Sequence, residues 1–224
     1  MLDSNDSTNK KLLIITGPQG SGNHLLSRVF SLHKDVGGWK ELLDQYWVPS
    51  DLETFAEYWV YPEKLKEFDF SSHDYWVANV SCPFMYDGVR YVPKILEFAK
   101  ECKKLGIDVT IAIIVRDQNI NAEQQKRVRK EVTLPIALDY YYQHLLPSEF
   151  PVHFLDHEAF FLHKAHYLKY VSKLLEFPID YDADIMKFIE QDPNNKYIKY
   201  VEEYWLDKEV WQGIRTKKDR GIHE

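Results

Sequence analysis

Six residues, Gly17-Pro18-Gln19-Gly20-Ser21-Gly22, have the composition of a loop that holds phosphate. Closely spaced glycines let the chain curl until successive amide N–H groups point inward, and a helix that follows adds the positive end of its dipole. Asn23 and His24 open that helix. A second reading stays open here: Gly20 and Gly22 serve a tight strand-to-helix turn and bind nothing. Much farther along, Arg116-Asp117 follows the apolar run Val109 to Val115, which delivers a guanidinium to the end of another buried strand.

The elements around these residues supply the context a phosphate loop needs. Leu12-Leu13-Ile14-Ile15-Thr16 is a short continuous apolar run, the pattern of a central strand buried on both faces of a parallel sheet. From Asn23 to Lys34, Leu25, Leu26, Val29 and Phe30 recur at helical spacing, with Arg28 on the other face. Residues 39 to 70, rich in Trp, Tyr, Leu and Glu, read as short helices beside the sheet. Strands are expected at Tyr75 to Val80, Val109 to Val115 and Val152 to Asp156. Helices are expected at Val92 to Leu105, closed by Gly106, and at Asn121 to Lys130, Leu134 to Leu145 and His166 to Glu176. Alternation of this kind predicts an α/β, three-layer fold, a central parallel sheet flanked by helices, with ligands at the carboxyl edge of the strands. The expected division is a polar leader over 1–10 and one domain over 11–224.

The loop departs from a nucleoside-triphosphate site in a chemically specific way. Gly17 and Gly22 match the glycine spacing of a Walker A loop, but Asn23 and His24 stand where Lys and Ser/Thr belong. Without that lysine no side chain of the loop meets the β and γ phosphates by charge, and without the hydroxyl the usual Mg²⁺ ligand is missing. Ordinary ATP or GTP hydrolysis is disfavoured.

With 28 basic against 35 acidic residues, the net charge is -7 and the pI near 5.7. Neither a general nucleic-acid surface nor an anionic membrane surface fits that balance, so any anion site is local. No apolar run nears the roughly 20 residues of a membrane span, and no secretory core is present, so a cytoplasmic location is expected. Cys82 and Cys102 have no metal or redox spacing and read as reduced core residues.

The segment Thr16 to Leu25 resembles the sulfate-donor loop of the P-loop sulfotransferases, and three further segments follow in the order of that family. They are Asn79-Val80-Ser81-Cys82-Pro83, Ile114-Val115-Arg116-Asp117 and Phe154-Leu155-Asp156-His157-Glu158. The resemblance implies a P-loop fold and transfer of a sulfuryl group from 3′-phosphoadenosine 5′-phosphosulfate to a hydroxyl of a small-molecule or sugar-like acceptor. It implies donor contacts from Gly17, Pro18, Gln19, Gly20, Ser21, Gly22, Asn23 and His24. It also implies that Arg116 meets the donor's 3′-phosphate, with Gln124 at the place of the family's partner serine. Arg220, in Lys218-Asp219-Arg220-Gly221, echoes a C-terminal contact.

At the reacting centre the family pattern is broken. Its loop lysine falls on Gly20, and the Lys and His of its Lys-Thr-His-Leu-Pro segment fall on Asn79 and Ser81. Sulfuryl transfer needs a base at the acceptor hydroxyl and donors for the leaving phosphate. By position His24 is the candidate base or charged donor and Arg28, one turn on, the candidate for the leaving phosphate; the plain alternatives are an exposed helix residue for His24 and a salt-bridge partner for Arg28. Two rival readings are a P-loop kinase and a degenerate member that binds a nucleotide without chemistry. No metal is expected: although His153, Asp156, His157, Glu158, His163 and His166 crowd together, His153 and His157 on one strand would stand about 13 Å apart. The basic run Gln124 to Lys130 reads as a solvated helix face, and most of Trp39, Tyr46, Trp47, Tyr58, Trp59 and Tyr61 as core rings.

Overall fold

The computed structural model describes residues 10–39 and 52–181. Arg220 and its basic cluster, Tyr46, Trp47 and nearly all of the polar leader lie outside the described residues.

The apolar run at Leu12 forms the middle of strand β1 (Lys11–Pro18), whose residues from Leu12 onward are all buried. Its length is the first correction, because Gly17 and Pro18 continue the strand and the loop proper begins at Gln19. Helix α1 (Asn23–Ser31) follows, with Leu26, Val29 and Phe30 buried. The short strand β2 (Val36–Gly37) comes next, then two 3-10 turns, Glu57–Trp59 and Pro62–Glu67, in the stretch expected to hold short helices. Strand β3 is Tyr75–Cys82, helix α2 Ile95–Lys104, strand β6 Asp108–Val115 and helix α3 Gln118–Arg129. Between β3 and α2 lies a small antiparallel hairpin, β4 (Phe84–Tyr86) and β5 (Val89–Tyr91). Helix α4 (Leu134–Tyr140) runs into a π turn (Tyr141–Leu145), and strand β7 (Val152–Asp156) leads into helix α5 (His157–Leu175).

Among the described residues, five strands form one parallel sheet in the order β2-β3-β1-β6-β7. Strands β3 and β6 line the two edges of β1, and a separate core cluster covers each of its faces. Leu12 and Ile14 join the aromatic core of Trp59, Phe98 and Phe55, while Leu13 and Ile15 join Leu26, Phe30 and Phe160. This is the α/β arrangement of a sheet covered by helices on either face. Among the described residues no helix is long and apolar enough to cross a membrane.

Further expectations need correction. Helix α2 starts at Ile95 rather than Val92, because Pro93 intervenes, and Val92 is left exposed. Helix α5 starts at His157, nine residues before His166, because the Asp156 carboxylate accepts a bond from the amide of Ala159 at 2.7 Å and caps it. The backbone then breaks at Lys164 (φ 48, ψ −122), so the segment from His166 is a helix of its own after a kink. His153 and His157 therefore share no strand face. The run Gln124 to Lys130 is not simply a solvated face either, since Gln125 is fully buried.

Candidate functional site

The loop sits where β1 ends, between β3 on one flank and β6 with α3 on the other. A bond from the Ser21 amide to the Pro18 carbonyl (3.0 Å) closes a turn, and Gly20 (φ 86) and Gly22 (φ 102) take left-handed conformations that favour glycine. Gly22 is the N-cap of α1 and has no side chain to cap it. The first amides of a helix have no intrahelical partner, so those of Asn23 and His24 are the natural anion donors here.

The loop side chains are committed internally. The Ser21 hydroxyl donates to Asn23 Oδ1 at 2.6 Å, and Asn23 Nδ2 lies 3.3 Å from the Gly17 carbonyl and 3.3 Å from Oγ of Ser81, the residue of β3 paired with Gly17. A Cβ on Gly17 would stand 2.3 Å from Ser21 Oγ and 2.5 Å from Asn23 Oδ1, so only glycine leaves room for this tie. Asn23, at the place of a Walker lysine, thus fastens the loop to β3 with a short amide. Whatever ligand the loop holds must be met by its backbone.

The opposite flank gathers Arg116 and Gln124. Arg116 Nη1 donates to the Gly20 carbonyl at 2.6 Å and to Gln124 Oε1 at 2.6 Å. The two residues are eight positions apart in the chain and are brought together because Asp117 caps α3, accepting from the amides of Asn119 and Ile120 at 2.9 Å. Gln125 adds a neutral network that the sequence did not announce. Its Nε2 donates to the Gln19 carbonyl at 2.7 Å, and its Oε1 accepts from the amides of Thr133 and Leu134. The Thr133 hydroxyl donates to Gln19 Oε1 at 3.1 Å. From beneath, the Tyr141 hydroxyl meets Thr16 Oγ1 at 3.1 Å, brought there by the π turn.

Two histidines bracket the loop. His24 Nε2 lies 3.3 Å from Glu53 Oε1, and Glu53 Oε2 accepts from Asn79 Nδ2 at 3.0 Å. The His24 ring meets Trp39 edge-on, 5.4 Å between centroids. Arg28 follows one turn later on α1, half-buried. On the other side, His157 packs so closely under Gly22 that a Cβ there would stand 2.5 Å from its Nδ1. Burial and the nearby Arg116 push its pKa down to about 3. Glu53 and His157 went unremarked as site residues. Glu53 lies in a stretch without periodicity, and nothing local to His157 marks it as a neighbour of Gly22.

Cys82 and Cys102 are free and buried, and burial alone raises the Cys82 thiol to about 12, which makes both poor nucleophiles. Neither a protein-family model nor a characterised protein sequence matches the chain.

Proposed function

We propose that this protein is a P-loop transferase that moves a sulfuryl group from 3′-phosphoadenosine 5′-phosphosulfate to a hydroxyl of a small-molecule or sugar-like acceptor. The observation that carries the reading is that Arg116, at the carboxyl edge of the parallel sheet, donates both to the Gly20 carbonyl and to Gln124 Oε1. The resemblance implies that the arginine at this strand end and the side chain eight residues later meet one phosphate, and the two stand together beside the loop. A phosphate oxygen is a stronger partner for a guanidinium than an amide oxygen, so exchange of Gln124 or Gly20 for the donor's 3′-phosphate is favourable. The phosphosulfate end then falls to the amides of the loop and of the first turn of α1. Arg28 is the candidate for the leaving phosphate.

Binding without chemistry is the second reading, and one observation favours it. Asn79 and Ser81, at the places of the family's lysine and histidine, are occupied with Glu53 and Asn23.

Thermal melting separates the readings. A ligand at 100 times its dissociation constant adds about 2.7 kcal/mol of stability. The expected result is a shift with 3′-phosphoadenosine 5′-phosphate that Arg116→Ala abolishes. A shift with Mg-ATP alone sinks the proposal, and one that survives Arg116→Ala shows the donor site to be elsewhere.

A further inference from the structure

We infer that Glu53 is a positioning residue for proton transfer. With Asn79 it holds the imidazole of His24 so that the other ring nitrogen, Nδ1, takes the proton of the acceptor hydroxyl. The inference rests on the sulfuryl-transfer reading above and adds to it a base with its support.

A glutamate is seldom buried unless both of its oxygens are engaged. The Glu53 side chain is only 5% exposed, and each oxygen has a partner: Oε1 faces His24 Nε2 at 3.3 Å, and Oε2 accepts from Asn79 Nδ2 at 3.0 Å. Asn79 is itself buried and lies in β3 opposite Ile15 of β1, so the carboxylate is fixed from the middle of the sheet. His24 is fixed from the other side, by the first turn of α1 and by the edge of buried Trp39. Its side chain is 26% exposed, which keeps the ring within reach of a substrate while its carboxylate is dry. Glu53 itself lies in a bend before the first 3-10 turn, and the pair is held through Asn79 of β3 and His24 of α1.

The chemistry follows from which nitrogen faces the carboxylate. A ring N–H directed at a carboxylate leaves the lone pair on the opposite nitrogen and supports the positive charge the ring acquires. In the transfer step the acceptor oxygen forms a bond to sulfur as Nδ1 removes its proton. The bond between sulfur and the bridging oxygen breaks, and its electron pair leaves with 3′-phosphoadenosine 5′-phosphate. The imidazolium that results faces Glu53. His24 is also the second residue after Gly22, so base and anion-binding amides share one helical turn. The pair thus supplies the base missing at Ser81.

Test the unaltered protein, Glu53→Gln and Asn79→Ser for the melting shift with 3′-phosphoadenosine 5′-phosphate. Then measure release of that nucleotide from 3′-phosphoadenosine 5′-phosphosulfate with water and with a phenol as acceptor. Glu53→Gln should keep the shift and the KM for donor while kcat falls about 100-fold. Asn79→Ser should show the same split with a smaller loss, about 10-fold. Unchanged kcat in Glu53→Gln overturns the inference and leaves the donor reading standing, as does a shift without any turnover by the unaltered protein. Neither shift nor turnover in the unaltered protein brings down the donor reading and the inference with it. If Glu53→Gln does not melt cooperatively, Glu53→Asp, one methylene short of His24, carries the test, with the same loss expected and unchanged kcat overturning the inference.

Discussion

His24 and His157 flank the same loop, and nothing else about their surroundings is alike. His157 is 1% exposed, neither of its ring nitrogens has a hydrogen-bond partner, and the charge beside it is that of Arg116. His24 is partly open to solvent and faces a carboxylate. The imidazole is the same in both places. Dry surroundings and a neighbouring cation hold His157 neutral, so it serves as a flat wedge under Gly22, edge-on to Phe161. The Glu53 carboxylate faces the His24 ring at 3.3 Å, and the edge of Trp39 fixes the ring from another side. The flank towards β6 shapes the loop, and the flank towards β3 carries the pair proposed above for proton transfer.

That contrast can be broken by experiment, most forcefully on the shaping flank. Gln125→Leu deletes a buried amide that joins Gln19, Thr133 and Leu134, and orphans each of them. The expected loss is about 4 kcal/mol in urea unfolding, and a loss below about 1 kcal/mol removes the network from the scaffold. Next comes acid. A pKa of about 3 in the fold against 6.5 means that below pH 6.5 the unfolded chain binds a proton that folded His157 does not. The stability due to the neutral ring is whole above pH 6.5 and is lost as pH falls towards 3, at about 1.4 kcal/mol per unit. His157→Phe should therefore resist acid better than the unaltered protein, by about 3 kcal/mol in relative stability at pH 4.5, and parallel pH profiles refute the wedge.

Gly22→Ala forces an alanine to φ 102 and drives its Cβ onto the His157 ring, with an expected loss of about 2 kcal/mol in thermal unfolding. An unchanged Tm shows the loop to be softer than its packing suggests. The smallest effect on stability belongs to the other flank. His24→Gln keeps an N–H donor for Glu53, so stability should move by less than about 1 kcal/mol while turnover of the donor falls. Undiminished turnover returns His24 to a structural role and dissolves the contrast.

Much of the scaffold was legible because short-range pattern encodes it. The uninterrupted apolar runs at Leu12 and Val109 are strands buried on both faces, and Gly106 (φ 76) does end α2. Boundaries failed where a side chain overruled the pattern. Asp156 starts α5 early by capping it, and Asp87 and Gly88, both at positive φ, turn an unremarked hairpin whose strands are too short to show alternation. Gly20 and Arg116 stand out locally, as a loop glycine and as the end of a buried strand, whereas Gln124 entered only through the resemblance. Glu53 could not, because its tie to His24 and Asn79 is a contact between three elements and leaves no local pattern. For the same reason Gln125 passed as one more polar residue in a basic run.

The position of β1 in the sheet also bears on how the chain becomes structured. This strand precedes both of its hydrogen-bonding neighbours, and its first residue, Lys11, pairs with Tyr75 on one side and Asp108 on the other. Neither edge can be satisfied by anything nearby. Closure of these long loops comes before any reward from pairing, which makes such parallel sheets slow to form. As the chain leaves the ribosome, Leu12 to Ile15 stay unpaired until β3 has emerged and keep one open edge until β6 follows, and chaperone occupancy should be highest over that interval.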